Sequence, residues 1–265
     1  MNDYVLRGGD QGAARLALLA RVGAPSTLDF FKRLDVRSPM RCLDVGCGAG
    51  AVTLELARLV QPGGAAIGLD RDERCLEIAR AQTAEAGLPT RFEQVDVADL
   101  VEQAAFDLVY ARFLLTHFSD PQGGLARLVH AARPGGRVAV EDIDFRMHLS
   151  RPDCPAFRRY QELYREVVRQ KGGDADIGPR LPRLFLEAGL EEVHADAVLP
   201  LFSEGEGKLI AAVTMEHIRE AVIAAGLATT GEIDAIVGEL SEFARAPGTV
   251  LSMPQIYQVS GVRPQ

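Results

Sequence analysis

Leu43-Asp44-Val45-Gly46-Cys47-Gly48-Ala49-Gly50 decides the fold. An apolar run from Arg41 ends in glycines, and a helical pattern opens directly behind it. That order predicts a strand, a tight turn and a helix. Glycines at 46 and 48 permit tight backbone dihedrals and let a ligand approach the chain closely. The first helical turn presents unsatisfied N–H groups and a positive dipole end. A short glycine pattern is weak alone, and its G-x-G-x-x-A spacing also suits dinucleotide sites.

Working outward, apolar runs of four to six residues alternate with helical stretches. Strands are expected near 41–46, 65–70, 91–95, 106–111, 136–143, 191–201 and 249–262. Helices are expected near 50–60, 73–86, 121–132, 155–170, 180–188, 206–225 and 230–245. Such alternation is the signature of βαβ units on a mostly parallel sheet, here of seven strands. Residues 10–35 read as two helices broken at Gly23-Ala24-Pro25, with Ser26 or Thr27 capping the second. Three companions support the glycine turn. Asp70 ends the second strand, Asp96 the third, and Phe106–Arg112 forms a fourth strand aimed at the same crevice. Ligands of open α/β sheets bind at that carboxyl edge. Each acid alone also suits a turn or a helix cap.

The chain has 265 residues and is 47% hydrophobic, enough for one large core with a modest cap. A formal net charge of -8 disfavours a polymeric nucleic-acid partner. No apolar run reaches eighteen residues, so no membrane partner is expected. The opening Met1–Asp10 lacks a basic start and apolar stretch, which predicts a cytoplasmic protein. Cys42, Cys47, Cys75 and Cys154 lack metal or redox spacing and the five histidines are scattered, so no metal is expected. The oligomeric state stays open, a homodimer being one option.

Residues 41–143 resemble the class I S-adenosylmethionine-dependent methyltransferases. LDVGCGAG is similar to their first motif, GLDRD to the second, VDVADL to the third and FDLVYARFLLTHFSDP to the fourth. HAARPGGRVAVEDID is similar to the stretch through their fifth strand. Tyr4 to Gly9, with Arg15-Leu16, also resembles a bacterial small-molecule subgroup. The resemblance implies a Rossmann-like three-layer sandwich with N- and C-terminal helical cover. Residues 1–40 would be the N-terminal cover. Residues 41–265 would be the catalytic domain, with insertions at about 150–175 and 203–246 capping the acceptor. The cofactor would be S-adenosylmethionine, leaving as S-adenosylhomocysteine, and the partner a small-molecule acceptor of natural-product type.

The same resemblance implies roles. Gly46, Cys47 and Gly48 would meet the methionine part, and Asp44 would hold its amino group. Asp70 would bind ribose and Arg71 flank the adenine. Asp96 and Val97 would hold the adenine edge, and Ala111 and Arg112 would line the methionine end. Methyl transfer by displacement needs alignment and exclusion of water more than a nucleophile. An oxygen acceptor also needs its proton removed. His117 is similar to a histidine of phosphoethanolamine methyltransferases that an N-terminal tyrosine latches, a part Tyr4 would take. Structural hydrogen bonding is the competing role for His117. Glu141 and Asp142 would orient an acceptor, or merely cap. Phe202, Met215 and His217 are candidates for the acceptor pocket. Tyr160 and Tyr164, with Phe157, form a pocket wall or core.

Two rivals remain at this stage. An NAD(P)-dependent oxidoreductase fits Asp70, 24 residues past Gly46, but no Tyr-xxx-Lys pair is present. A cofactor-binding protein that transfers no methyl, such as a pericyclic-reaction protein, would share the fold.

Overall fold

The computed structural model describes residues 9–100 and 104–265, with side chains from Arg15 onward. Helix α1 (Gly9–Arg33) leads into β1 (Arg41–Val45), α2 (Ala51–Val60), β2 (Ala65–Asp70), α3 (Glu73–Ala86) and β3 (Thr90–Gln94). Next come β4 (Phe106–Arg112), α4 (Pro121–Ala131), β5 (Ala132–Asp144), β6 (Ser150–Arg151), α5 (Pro155–Gln170) and α6 (Leu181–Glu187). The chain closes with β7 (Glu191–Val198), β8 (Leu201–Phe202), α7 (Ile210–Ala224), α8 (Thr230–Arg245), β9 (Val250–Ser252) and β10 (Gln255–Val262).

Seven strands make one sheet in the order β3-β2-β1-β4-β5-β10-β7. The first five pair in parallel, and β10 runs antiparallel to both neighbours. The order reverses between β1 and β4, so the carboxyl ends of those strands open a crevice. Strand period two sorts the side chains. Cys42, Leu108, Tyr110 and Ala139 face α1 and α2, where Phe31, Leu56 and Val60 pack. Leu43, Val45, Val109, Ala111 and Val140 face α4 and α6, against Leu125, Leu128 and Phe185. Helices thus cover both faces, giving the three-layer Rossmann-like sandwich expected.

Helix ends follow local chemistry. Asp72 accepts the Arg74 N–H at 3.0 Å to start α3, and Gly87, at φ 65, ends it. Thr229 accepts from Glu232 N at 3.2 Å to start α8. Apolar faces of α5, α7 and α8 bury Phe157, Leu163, Met215, Ile218, Ile236 and Leu240 in one further cluster.

Two expectations need correction. Residues 10–35 are not two helices, because α1 continues through Pro25. Ser26 and Thr27 therefore cap nothing: the Ser26 hydroxyl donates back to Gly23 O at 3.0 Å, and that of Thr27 to Glu141 at 2.6 Å. An interior proline costs about 3 kcal/mol. Burial of Leu18 and Leu19 on one side of it and Phe30 and Phe31 on the other offsets that cost. Residues 249–262 are not one strand either. The segment divides at Met253-Pro254, where proline has no N–H to continue a ladder. Its first half, β9, joins a separate small sheet in the order β6-β9-β8.

Candidate functional site

A cavity of about 900 Å³ opens at the carboxyl ends of β1, β2 and β4 and runs beneath α1, α5 and α7. The turn after β1 forms its floor. Gly46, Gly48 and Gly50 have φ of 74, 52 and 78°, which other L-residues rarely adopt. The N–H groups of Gly46 and Cys47 both donate to Leu69 O, at 2.8 and 2.9 Å, binding the turn to β2. A Cβ on Gly48 would lie 3.1 Å from Leu16 Cδ1, so α1 passes directly over the turn.

Carboxylates at successive strand ends line this half of the cavity. Asp70 accepts from Gly48 N at 2.8 Å through one oxygen and from Asp72 N at 2.9 Å through the other. Both oxygens keep lone pairs for a ligand. Burial raises its pKa above the ordinary carboxylate value, and the two N–H bonds oppose that shift. Asp44, 2% exposed, accepts from the Thr53 hydroxyl at 2.6 Å. Burial pushes it up to about 6, against the Thr53 bond and the charge of Arg112. Asp96 accepts from Ala98 N at 2.9 Å, so it caps a short turn as well as lining the cavity. Burial, reinforced by Asp44 and Asp70, holds the Cys47 thiol well above its usual value and thus neutral.

The far half is aromatic. Phe145 stacks on Tyr164 with ring centroids 4.1 Å apart, and Tyr160 meets Phe145 edge-on at 5.7 Å. Thr214 and His217 of α7 and Met253 complete that wall. His117 lies between the halves, half-buried. Burial, then the charges of Arg15 and Arg71, lower its pKa to about 3. Its imidazole is neutral at physiological pH and accepts hydrogen bonds while resisting a proton.

Asp44, Gly46, Cys47, Gly48, Asp70, Arg71, Asp96, Val97, Arg112, His117, Tyr160, Tyr164 and His217 all line this one cavity. Other sequence candidates do not. Ala111 is buried on the α4 face, because period two turns it away from the crevice. Glu141 is 0% exposed and lies off the cavity. Its carboxylate accepts from Thr27, from the Tyr110 hydroxyl and from Gln258 at 2.5 Å, which ties α1 to the sheet. Asp142 accepts from Thr116 N at 3.0 Å and Ile143 N at 2.9 Å and is likewise enclosed. Phe202 packs over Gly207, and Met215 sits in the α5–α7–α8 cluster. Ile218 and Val222 belong to that cluster as ordinary helix packing, and Phe157 does too. Tyr4 lies outside the described residues. Sequence reasoning missed Arg15 and Thr214 as a pair, and Phe145, Phe113 and Met253 as wall. A signal for Arg15 existed: Leu18, Leu19 and Val22, at i+3, i+4 and i+7, share its helical face and are packed in.

Comparison with known proteins adds to this geometry. Residues 37–188 match the family described as a methyltransferase domain. Methyltransferase GfsG of Streptomyces halstedii is 33% identical over 129 residues, 47% of this chain and 45% of that protein. The chain spans about half the length of the first curated relatives it matches, 50% and 45%. Phosphoethanolamine N-methyltransferase 2 of Haemonchus contortus, solved with S-adenosylmethionine, shares the fold. Its TM-score is 0.55 at 17% identity, over 100% of this chain and 55% of that one. The [4+2]-cyclase SpnF also shares it, with a TM-score of 0.57 at 19% identity over 91% and 80% of the two chains.

Proposed function

The chain belongs to the methyltransferase-domain family, and from that premise we propose that it moves the methyl group of S-adenosylmethionine to a small-molecule acceptor. One observation carries the reading: a single cavity joins the glycine turn and its strand-end carboxylates to an aromatic wall. Its volume lies near the upper end of the roughly 300–1,000 Å³ of ligand pockets, which leaves room for two partners.

The residues fit that cofactor. Gly46 and Gly48 hold the backbone open where a Cβ would crowd against Leu114 and Leu16. Asp70, oriented by two N–H groups, suits a ribose diol. Asp44, held by Thr53, suits an amino group once ionised, and Asp96 and Val97 suit an adenine edge. When bound, the cofactor supplies an electrophilic methyl on a sulfonium whose positive charge disappears on transfer.

The chain's own work is then alignment and dryness. Phe145, Tyr160 and Tyr164 present an apolar wall to the acceptor and exclude water. Helices α5, α7 and α8, with α1, form the cap over it. His117 offers a neutral acceptor at the junction and does not store a proton. The carboxylates lining the cavity, among the described residues, are Asp44, Asp70, Asp72, Glu73 and Asp96, all at the turn end. An acceptor needing a carboxylate base therefore fits less well than one that arrives deprotonated or as a neutral amine. Among the described residues no helix is long and apolar enough to cross a membrane. The reading keeps the cytoplasmic setting expected from the sequence.

Incubation with methyl-tritiated cofactor and an acceptor screen tests the proposal. Label transfer is the expected result. A melting shift with NADPH and none with S-adenosylhomocysteine would overturn it. S-adenosylhomocysteine binding without any transfer would favour a non-methylating protein on this fold.

A further inference from the structure

We infer that the Tyr164 hydroxyl is the hydrogen-bond donor that selects the acceptor, and that the acceptor is a flat, largely apolar molecule carrying a carbonyl oxygen. The inference rests on the methyltransferase reading. Tyr164 lies on α5, lines the cavity and is 3% exposed. Phe145 stacks on its ring at 4.1 Å with 9° between the planes, and Tyr160, one turn earlier on α5, stands at 60° to it. That packing fixes the plane in which the hydroxyl lies, and the inclined third ring closes a corner into which a flat ring system fits. Among the described residues no group hydrogen-bonds to the Tyr164 hydroxyl, whereas Thr214 stands beside the Tyr160 phenol.

Burial pushes the Tyr164 phenol up to about 12, so it keeps its proton and serves as a donor. Protein carboxylates do not take that proton's bond. The lining acids stand at the turn end of the cavity. Asp142, whose charge Tyr164 feels, is occupied by the N–H groups of Thr116 and Ile143. Water can satisfy the hydroxyl in the free protein. An acceptor that fills this half displaces that water, and it must supply an oxygen in its place or leave the hydroxyl stranded. A neutral carbonyl suits a wall otherwise built of Phe145, Ile143, Ile210 and Met253.

A thermodynamic cycle on the full chain, loaded with S-adenosylhomocysteine and read by calorimetry, tests this. The probes are 6-methoxy-1-tetralone and 4-methoxyacetophenone. Their partners, 6-methoxytetralin and 4-ethylanisole, carry a methylene in place of the carbonyl, and none of these compounds ionises. Tyr164→Phe should weaken at least one ketone by about tenfold and shift its methylene partner by less than about twofold. Tyr160→Phe should shift the members of each pair alike. With no acceptor present, Tyr164→Phe should melt no lower than wild type, because its hydroxyl holds nothing in the fold. A lower melting temperature makes the hydroxyl a structural group and overturns the inference. Equal weakening within each pair, no weakening, or no ketone binding by protein that still binds S-adenosylhomocysteine also overturns it. A wild type that binds no S-adenosylhomocysteine overturns the methyltransferase reading, and the inference with it.

Discussion

The carboxylate of Asp70 accepts the backbone N–H of Gly48 at 2.8 Å, so the end of β2 fixes the conformation of the turn that follows β1. One residue thereby shapes the floor of the site and, in the proposed function, is the ribose ligand. Asp70→Ala should weaken S-adenosylhomocysteine binding by roughly 1.5–3 kcal/mol, the usual worth of hydrogen bonds to a charged group. Calorimetry reads the loss, and an unchanged Kd would remove Asp70 from the site.

Asp44 gives the site a pH dependence. Its folded pKa of about 6 lies above the ordinary carboxylate value of 3.8, because burial disfavours its charge. The folded state thus holds the proton more tightly than the unfolded chain. This group favours folding on the acid side, and that contribution is lost as pH rises through about 6. Cofactor binding should run the other way. The proposed contact to the amino group uses the ionised form, so affinity should fall as pH drops below about 6, approaching tenfold per pH unit. Asp44→Asn should bind more weakly and flatten the profile. A wild-type affinity constant from pH 5 to 8 would refute this role.

Glu141 should matter to stability and not to chemistry. Thr27, Tyr110 and Gln258 all donate to its enclosed carboxylate. Glu141→Ala strands those donors, at a cost of about 1–3 kcal/mol for each buried group left unpaired. Urea unfolding should show a loss of about 3 kcal/mol or more. Turnover per folded molecule should stay close to wild type. Full stability with lost turnover would return Glu141 to the catalytic residues.

His117 and His148 should stay neutral in acid. Burial, the largest cause at both, lowers each pKa from 6.5 to about 3, and Arg15 and Arg71 add to the shift at His117. Below 6.5 the unfolded chain gains protons that the folded protein refuses. The stability these residues contribute is complete above 6.5 and is lost as pH falls toward about 3. Their imidazole resonances should therefore show no titration between pH 5 and 8. An inflection near 6.5 for His117 would make it a proton carrier after all.

Much of this was written in local sequence. Strand and helix periods placed all seven sheet strands, because a buried face repeats every two residues in one and about every 3.6 in the other. The glycines at 46 and 48 and the acids at 44, 70 and 96 were legible because their chemistry depends on position at a strand end, which pattern reveals. Tertiary structure decided what depends on two distant segments meeting. Packing on both sides of Pro25 kept α1 whole, a balance that no local propensity contains. Pleat direction put Glu141 on the same face as its register partner Arg112, and bonds from Thr27, Tyr110 and Gln258 then held its carboxylate off the cavity that Arg112 lines. The meeting of Arg15 with Thr214, 199 residues apart, arose only when α1 and α7 closed over the sheet. A side chain's type is set by the sequence, but which groups share its low-dielectric surroundings is set by the fold, and that sets its charge and its use.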